Sequence, residues 1–319
     1  MIRYLFILLS ISINVSCTYA RSNDAKKVLI SQGIDHPALN NTCSGIIDAL
    51  AESGYVKGKN FEWRKESAQG NITLAQQIAT KFVGEKPDVV VAIGTMSAQS
   101  LAKYAEAGKV KLVFSSVTDP LGAKLVHNLT RPGTNTSGVS NYMEIEPRVR
   151  NMRQFLPKLR KIGTIWNPGD QNADILTQKL ADYCKAKGLI LEKRVATKAT
   201  EILDAAASLA PLVDAIFINN DNTALSAFSA VVKGAGSVPV FASDVDVVEQ
   251  GALAALGPNQ YEIGRQTGRM IARILAGEAA GAQTVEFPAK AEIYLNLNVA
   301  QKLGIVISDE MKVIATKIL

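Results

Sequence analysis

The sequence predicts an α/β fold of two Rossmann-like lobes, each built on a parallel sheet. Three observations carry that expectation. At 319 residues the chain is longer than one hydrophobic core usually supports. From Lys27 onward, short β-rich apolar runs alternate with amphipathic helical stretches, the pattern of a parallel sheet with helices on both faces. The order of elements in the first half then recurs in the second.

In the first half, strands are predicted at 28–31, 60–64, 88–93 and 111–115, alternating with helices at 38–52, 74–83 and 97–106. The second half gives strands at 162–166, 190–194, 214–219 and 238–242, with helices at 173–187, 201–210 and 223–234. The echo reaches single residues: DVVVAIGTMSA from Asp88 aligns with DAIFINNDNTA from Asp214, and Val113-Phe114-Ser115-Ser116 aligns with Val240-Phe241-Ala242-Ser243. Repetition over half a chain implies two similar lobes, since solenoid repeats are much shorter. After the second copy come an apolar run at 251–257, a helix at 261–276, a loop, a last strand within 285–297, a short helix at 299–304 and a polar tail. This C-terminal segment is expected to be shared between the lobes.

Composition narrows the class. Hydrophobic residues make up 47% of the chain and charged residues 20%, which describes a chain with an ordinary buried core. Residues 1–20 read as a signal peptide: a basic start at Arg3, an apolar stretch at 4–15, then small residues before the polar Arg21-Ser22-Asn23-Asp24. Thr18 and Ala20 suit cleavage after Ala20; Cys17 offers lipid attachment as the rival reading, against which Asn14 is a poor neighbour. No other run is long and apolar enough to span a membrane, so the mature chain is expected outside the cytoplasm, periplasmic or extracytoplasmic. The net charge of +6 falls to +5 once Arg3 leaves. The basic residues are scattered, and the short clusters Arg148-Val149-Arg150 and 158–161 read as solvated helix faces, not as a nucleic-acid stripe. Cys43 and Cys184 sit on predicted helices in different halves and read as buried small hydrophobes. Neither a disulfide nor a metal pair is expected, and no cofactor.

In open parallel sheets, ligands bind beyond the carboxyl ends of the strands, so two such lobes facing each other make a cleft. Several stretches then resemble a known family when taken in order: His36-Pro37-Ala38-Leu39, Gly54-Tyr55-Val56-Lys57-Gly58, Val117-Thr118-Asp119-Pro120, Trp166-Asn167-Pro168-Gly169, Asp221-Asn222-Thr223, Phe241-Ala242-Ser243-Asp244 and Tyr261-Glu262-Ile263-Gly264-Arg265. Together they resemble bacterial ABC-transporter substrate-binding proteins with the type I periplasmic-binding fold, in the branch with tryptophan- and other aromatic-amino-acid-binding members. The resemblance runs from about Lys27 to Gly304. It implies a three-segment hinge with crossings near 141–146, 258–261 and 285–288, hence one lobe of 21–141 and 261–284 and another of 142–260 and 285–319. It also implies a monomeric, non-enzymatic receptor that takes a small molecule, an amino acid with aromatic or large apolar side chains favoured, and delivers it to the membrane permease of an ABC importer.

An amino acid carries an ammonium and a carboxylate, and the strand ends offer groups for both. Asp221, with Asn220 and Asn222, stands where it would meet the ammonium, although Asp is also a favoured helix cap. Asp244 follows a buried strand and is preferred over Asp246. Gly94, Thr95 and Ser97 lead into a helix whose N-terminus suits a carboxylate; Thr95 or Ser97 as a plain cap explains the hydroxyl equally well. Ser116, Val117 and Thr118 close the neighbouring strand, while Asp119-Pro120 reads as a turn. His36, with Ala38 just beyond it, lines the cleft or lies beside it, and lacks a second ligand for a metal. Trp166, before Asn167, would stack on the ligand or simply pack; Tyr142 is a weaker candidate of the same kind. Ligand contact with both lobes would favour the closed form and drive lobe closure. Replacing Asp221 by Ala is expected to weaken binding with the fold intact. No nucleophile elbow, Walker loop or dinucleotide fingerprint is present. A sensory receptor of the same fold stays open as the alternative to an importer component, and an enzyme is the weaker rival.

Overall fold

The structure is a computed structural model that describes residues 25–133 and 135–319, so the signal-peptide and Cys17 readings lie outside the described residues. The first sheet is built from β1 (Lys26–Gln32), α1 (Pro37–Glu52), β2 (Phe61–Ser67), α2 (Ile72–Gly84), β3 (Val89–Ile93), α3 (Thr95–Ala107), β4 (Lys111–Val117) and β5 (Thr136–Ser140). Its strand order is β2-β1-β3-β4-β5, parallel throughout. The central β3, Val-Val-Val-Ala-Ile, is buried along its whole length, as a strand covered on both faces must be. β2 carries charges at the sheet edge, where they discourage pairing with another chain.

The chain leaves this sheet through 141–144 and forms α4 (Ile145–Phe155), β6 (Lys161–Trp166), α5 (Gln171–Ala186), β7 (Ile190–Val195), α6 (Ile202–Leu209), β8 (Ala215–Ile218), α7 (Asn222–Ser226), α8 (Phe228–Ala235), β9 (Val240–Ala242) and β10 (Ala254–Gly257). It returns through α9 (Gln260–Leu275), which packs along α1, and crosses a third time before β11 (Glu292–Leu295), α10 (Leu297–Leu303), α11 (Asp309–Ile314) and β12 (Lys317–Ile318). The second sheet runs β12-β11-β10-β9-β8-β6-β7, with β11 antiparallel to β10.

Each sheet has apolar packing on both faces because successive strand residues point opposite ways. Leu29 joins Phe82 and Phe114 on one side of the first sheet, while Val28 and Ile30 join Ile46 and Met270 on the other. Ile216 and Phe217 divide the second sheet in the same manner. Cys43 and Cys184 are buried and free, as read from the sequence.

Three local expectations need correction. The helix expected at 223–234 is broken at Ala227 (φ −122°, ψ 34°), which separates α7 from α8. The segment before β6 holds a strand, β5, and a helix, α4, that the sequence did not reveal. The C-terminal tail is not merely polar: α11 buries Met311, and β12 pairs with β11.

Candidate ligand site between the lobes

The carboxyl ends of the two sheets face each other, and the lobes touch. His36 Nε2 lies 3.2 Å from Asn222 Oδ1. Asn41 Nδ2 donates to Asp246 Oδ1 at 2.7 Å, and Gln99 Nε2 to Gln171 Oε1 at 2.9 Å. Between these contacts, Gln260 at the start of α9 ties the strand ends together. Its Oε1 accepts from Ser116 Oγ at 2.8 Å and from Thr42 Oγ1 at 3.3 Å, while its Nε2 donates to Asp244 Oδ1 at 2.9 Å. Ser116 reaches this position by a break in β4: its φ is 55°, and the β4–β5 register shifts between Ser115 and Val117. A non-glycine residue held in the left-handed region is the kind of local strain that clusters at functional sites.

The sequence-predicted residues divide into three groups. Asp244, Asn222, Ser116, Thr118 and His36 bring polar atoms to the interlobe region, while Asn220 bonds within the second lobe. Thr118 Oγ1 donates to Asn141 Oδ1 at 3.1 Å, and Asn220 accepts on both its side-chain and main-chain oxygens. A second group supplies walls and geometry: Ala38 and Val117 are fully buried, and Gly94, with φ 88°, turns β3 into α3.

The third group reads differently in three dimensions. The cap of α3 is Gly94, with no side-chain bond, so neither Thr95 nor Ser97 caps the helix. Ser97 Oγ instead meets Ser31 Oγ at 3.2 Å. Asp221 has each oxygen already holding a backbone N–H, Ala224 N on Oδ1 at 2.7 Å and Asn167 N on Oδ2 at 2.6 Å. It caps α7 and fastens the β6 turn, a structural tie and not a free anchor. Asn167 continues that tie to Thr223 Oγ1. Trp166 has Lys193 Nζ over its ring at 5.2 Å, which takes one face from any stacking role. Asp246 also points toward the first lobe, where its Oδ1 accepts from Asn41 Nδ2.

Three pockets open between the lobes, one of them, of about 520 Å³, around Asn41, Asp246 and Tyr261. A second of about 280 Å³ is lined by Gly70, Met96 and Gln99 against Asn167, Asp170 and Asn172. A third of about 370 Å³ lies beside the crossings, with Thr118, Leu121, Tyr142, Lys179 and Phe287 in its wall. Buried atoms without a hydrogen-bond partner among the described residues include Gln32 Oε1, His36 Nδ1, Tyr142 Oη, Arg148 Nε, Trp166 Nε1 and Ser243 Oγ. Most of these residues stand at a strand's carboxyl end or in a crossing. Such groups are costly unless something pairs with them.

The Arg148 cluster corrects the sequence reading most sharply. Arg148 is not on a solvated face; it is 2% exposed. Its Nη1 donates to Asn219 Oδ1 at 2.7 Å and to Asn220 Oδ1 at 3.4 Å. Gln32, Ser31, Asn172, Ser243 and Gln260 are further buried polar residues here that the sequence reading missed. Only their positions beside strand ends or crossings could have flagged them.

Burial also sets the ionisation. It pushes Asp221 and Asp246 up to about 7 and Asp244 to about 6, and holds His36 down at about 4. A carboxylate whose folded value is raised keeps a proton that the unfolded chain has lost, so its contribution to stability falls as pH rises from about 4 to about 7. His36 acts oppositely, favouring unfolding as pH falls below about 6.5. Between pH 8 and pH 6.5 proton uptake by the folded acids outweighs that of the unfolded His36. The melting midpoint of the ligand-free protein is therefore expected to rise on acidification across that window, and Asp246→Asn to raise it at pH 8 while flattening the slope. Scanning calorimetry at both pH values checks this, and a midpoint that falls on acidification rules it out.

Two parallel-sheet lobes, three chain crossings and a buried polar centre at the facing strand ends define a two-lobed solute receptor of the type I periplasmic binding protein fold. The chain belongs to the ABC transporter substrate binding protein family, which it matches over residues 27–319. It is 34% identical over 278 residues to a tyrosine-binding protein of Clostridioides difficile strain R20291, covering 86% of this chain and 80% of that one. Among solved structures it is similar to an ABC domain from Streptococcus pneumoniae in complex with L-Trp, with 29% identity, a TM-score of 0.88 and coverage of 92% of this chain and 99% of that one. It is also similar to the ligand-free, open structure of a substrate binding protein with adhesive properties from Clostridium difficile, with 30% identity, a TM-score of 0.70 and coverage of 92% and 98%.

Proposed function

We propose that this chain is the exported solute-binding component of an ABC importer and that it captures an aromatic amino acid between its lobes without transforming it. The observation that carries this reading is the meeting of buried polar groups from both lobes, Ser116 and Gln260 with Asp244, where an amino acid's charged end would be held. The tyrosine-binding and L-Trp-bound relatives support the aromatic class. Asp244 takes the role of ammonium anchor that the sequence divided between it and Asp221, and Asp221 holds the β6 and β8 turns in place behind it. A ligand touching both lobes binds the closed arrangement better than the open one and shifts the population toward it. The permease then reads the closed form.

A thermal-shift panel tests this. L-Tyr, L-Trp and L-Phe are compared with aliphatic amino acids, sugars and nucleosides. A true ligand at one hundred times its Kd adds about 2.7 kcal/mol of stability. The expected result is a shift of several degrees with at least one aromatic amino acid, and its recovery unchanged after release. A shift confined to sugars or nucleosides refutes the reading.

A further inference from the structure

Arg148 is a buried cation that the buried acid near it, Asp244, does not pair with. It stands in the first turn of α4, directly after the first crossing, and among the described residues no carboxylate forms an ion pair with it. Its hydrogen bonds among the described residues leave from Nη1 and end on the neutral amide oxygens of Asn219 and Asn220. Its Nε has no partner among the described residues. The Nε–Nη2 edge of a guanidinium is the edge that takes a carboxylate through two parallel bonds. Asp244 lies near enough to interact electrostatically with the guanidinium, but its Oδ1 is held by Gln260. A cation and an anion thus stand within electrostatic reach without pairing with each other, each tied to a neutral amide. That arrangement suits a ligand that carries both charges at one end.

We propose that Arg148 is the receptor for the ligand's α-carboxylate, oriented by Asn219 and Asn220, and that it restricts the cleft to amino acids whose carboxylate is free. The proposal rests on the reading of the chain as an amino-acid receptor and adds the group that selects the acid over neutral derivatives. A guanidinium this deeply buried costs free energy until an anion joins it. A zwitterion repays that cost. An amide, an ester or a sugar leaves the cation unmatched.

The test is calorimetric titration of the wild-type protein, Arg148→Gln and Arg148→Lys with L-tyrosine and L-tryptophan, each beside its carboxamide. The wild type is expected to prefer acid over amide by about 100-fold or more. Arg148→Gln keeps hydrogen-bonding capacity without the charge. It should lose about that factor toward the acids while its affinity for the amides changes little, and Arg148→Lys should keep part of the preference. A wild type that binds acid and amide alike overturns the proposal, and so does a Gln variant that weakens both equally, which marks a structural role. If the wild type takes neither aromatic acid but another amino acid, and Arg148→Gln abolishes its preference over the amide, the aromatic reading fails and the role of Arg148 stands. Binding of a neutral solute unaffected by Arg148→Gln overturns both.

Discussion

Asp244→Asn lowers affinity for the amino-acid ligand by about 100- to 1,000-fold and leaves the ligand-free protein folded. The size follows from truncating one side of a desolvated charge pair, which costs about 2–5 kcal/mol. The selectivity follows from where Asp244 stands. It is 2% exposed, and its side chain holds no element of its own lobe together: the bond from Gln260 Nε2 goes to Oδ1, which an asparagine oxygen replaces. Burial already penalises the ionised form, lifting it to about 6, so the neutral isostere relieves a cost in the ligand-free state. Asp221→Ala, carried as the contrast in the same titration, should show the opposite balance. It strips the cap from α7 and the acceptor from Asn167 N, losses of about 1 and about 1–3 kcal/mol, so its first effect falls on the melting midpoint. Calorimetric Kd values together with melting curves separate the two. If Asp244→Asn binds the ligand as the wild type does, Asp244 is not the ammonium anchor.

That contrast shows what the sequence could and could not convey about the site. An acidic residue between a strand and a helix satisfies the local rule for a cap and the local rule for a ligand contact equally. Only the approach of Asn167 N, 54 positions away, decides that both oxygens of Asp221 are spoken for. Arg148 failed for the complementary reason. In Arg148-Val149-Arg150 the charges read as solvent-facing, but period alone does not say that the first turn of α4 is roofed by the crossing and by the end of β8. Gln260 is likewise an unremarkable polar residue at a helix start until three chain segments converge on it. The sheets were legible because buried parallel strands write long apolar runs, as at Val89–Ile93. β5 was not, since Thr-Ser-Gly-Val-Ser carries turn-like residues and is buried only by what lies around it. The break at Ala227 has no glycine or proline to announce it.

Gly264→Ala is expected to lower the melting midpoint by roughly 6–12 °C and to weaken ligand binding with it. The α1–α9 contact is made backbone to backbone: a Cβ on Gly264 would fall well inside contact distance of the Thr42 carbonyl oxygen, and one on Gly45 would strike the Tyr261 carbonyl. Gly268 continues the same seam against Ile46. A methyl there cannot be absorbed by a rotamer change, because its neighbour is main chain. The helices must separate, which costs about 3 kcal/mol, the upper end for overpacking; at roughly 2–4 °C per kcal/mol for a chain of this size that gives the stated range. The effect on binding follows from register. Gln260 lies one helical turn before Gly264 on α9, so moving the helix off α1 draws its amide from Ser116, Thr42 and Asp244 together. Gly84→Ala is the control for the glycine substitution itself. It also lies in a helix, but a Cβ there meets nothing within 4 Å, so the change should be neutral or stabilising by about 0.5–1 kcal/mol. A Gly264→Ala protein that melts with the wild type would mean that α9 is free to shift on α1, and the bridge built by Gln260 would then not depend on that seam.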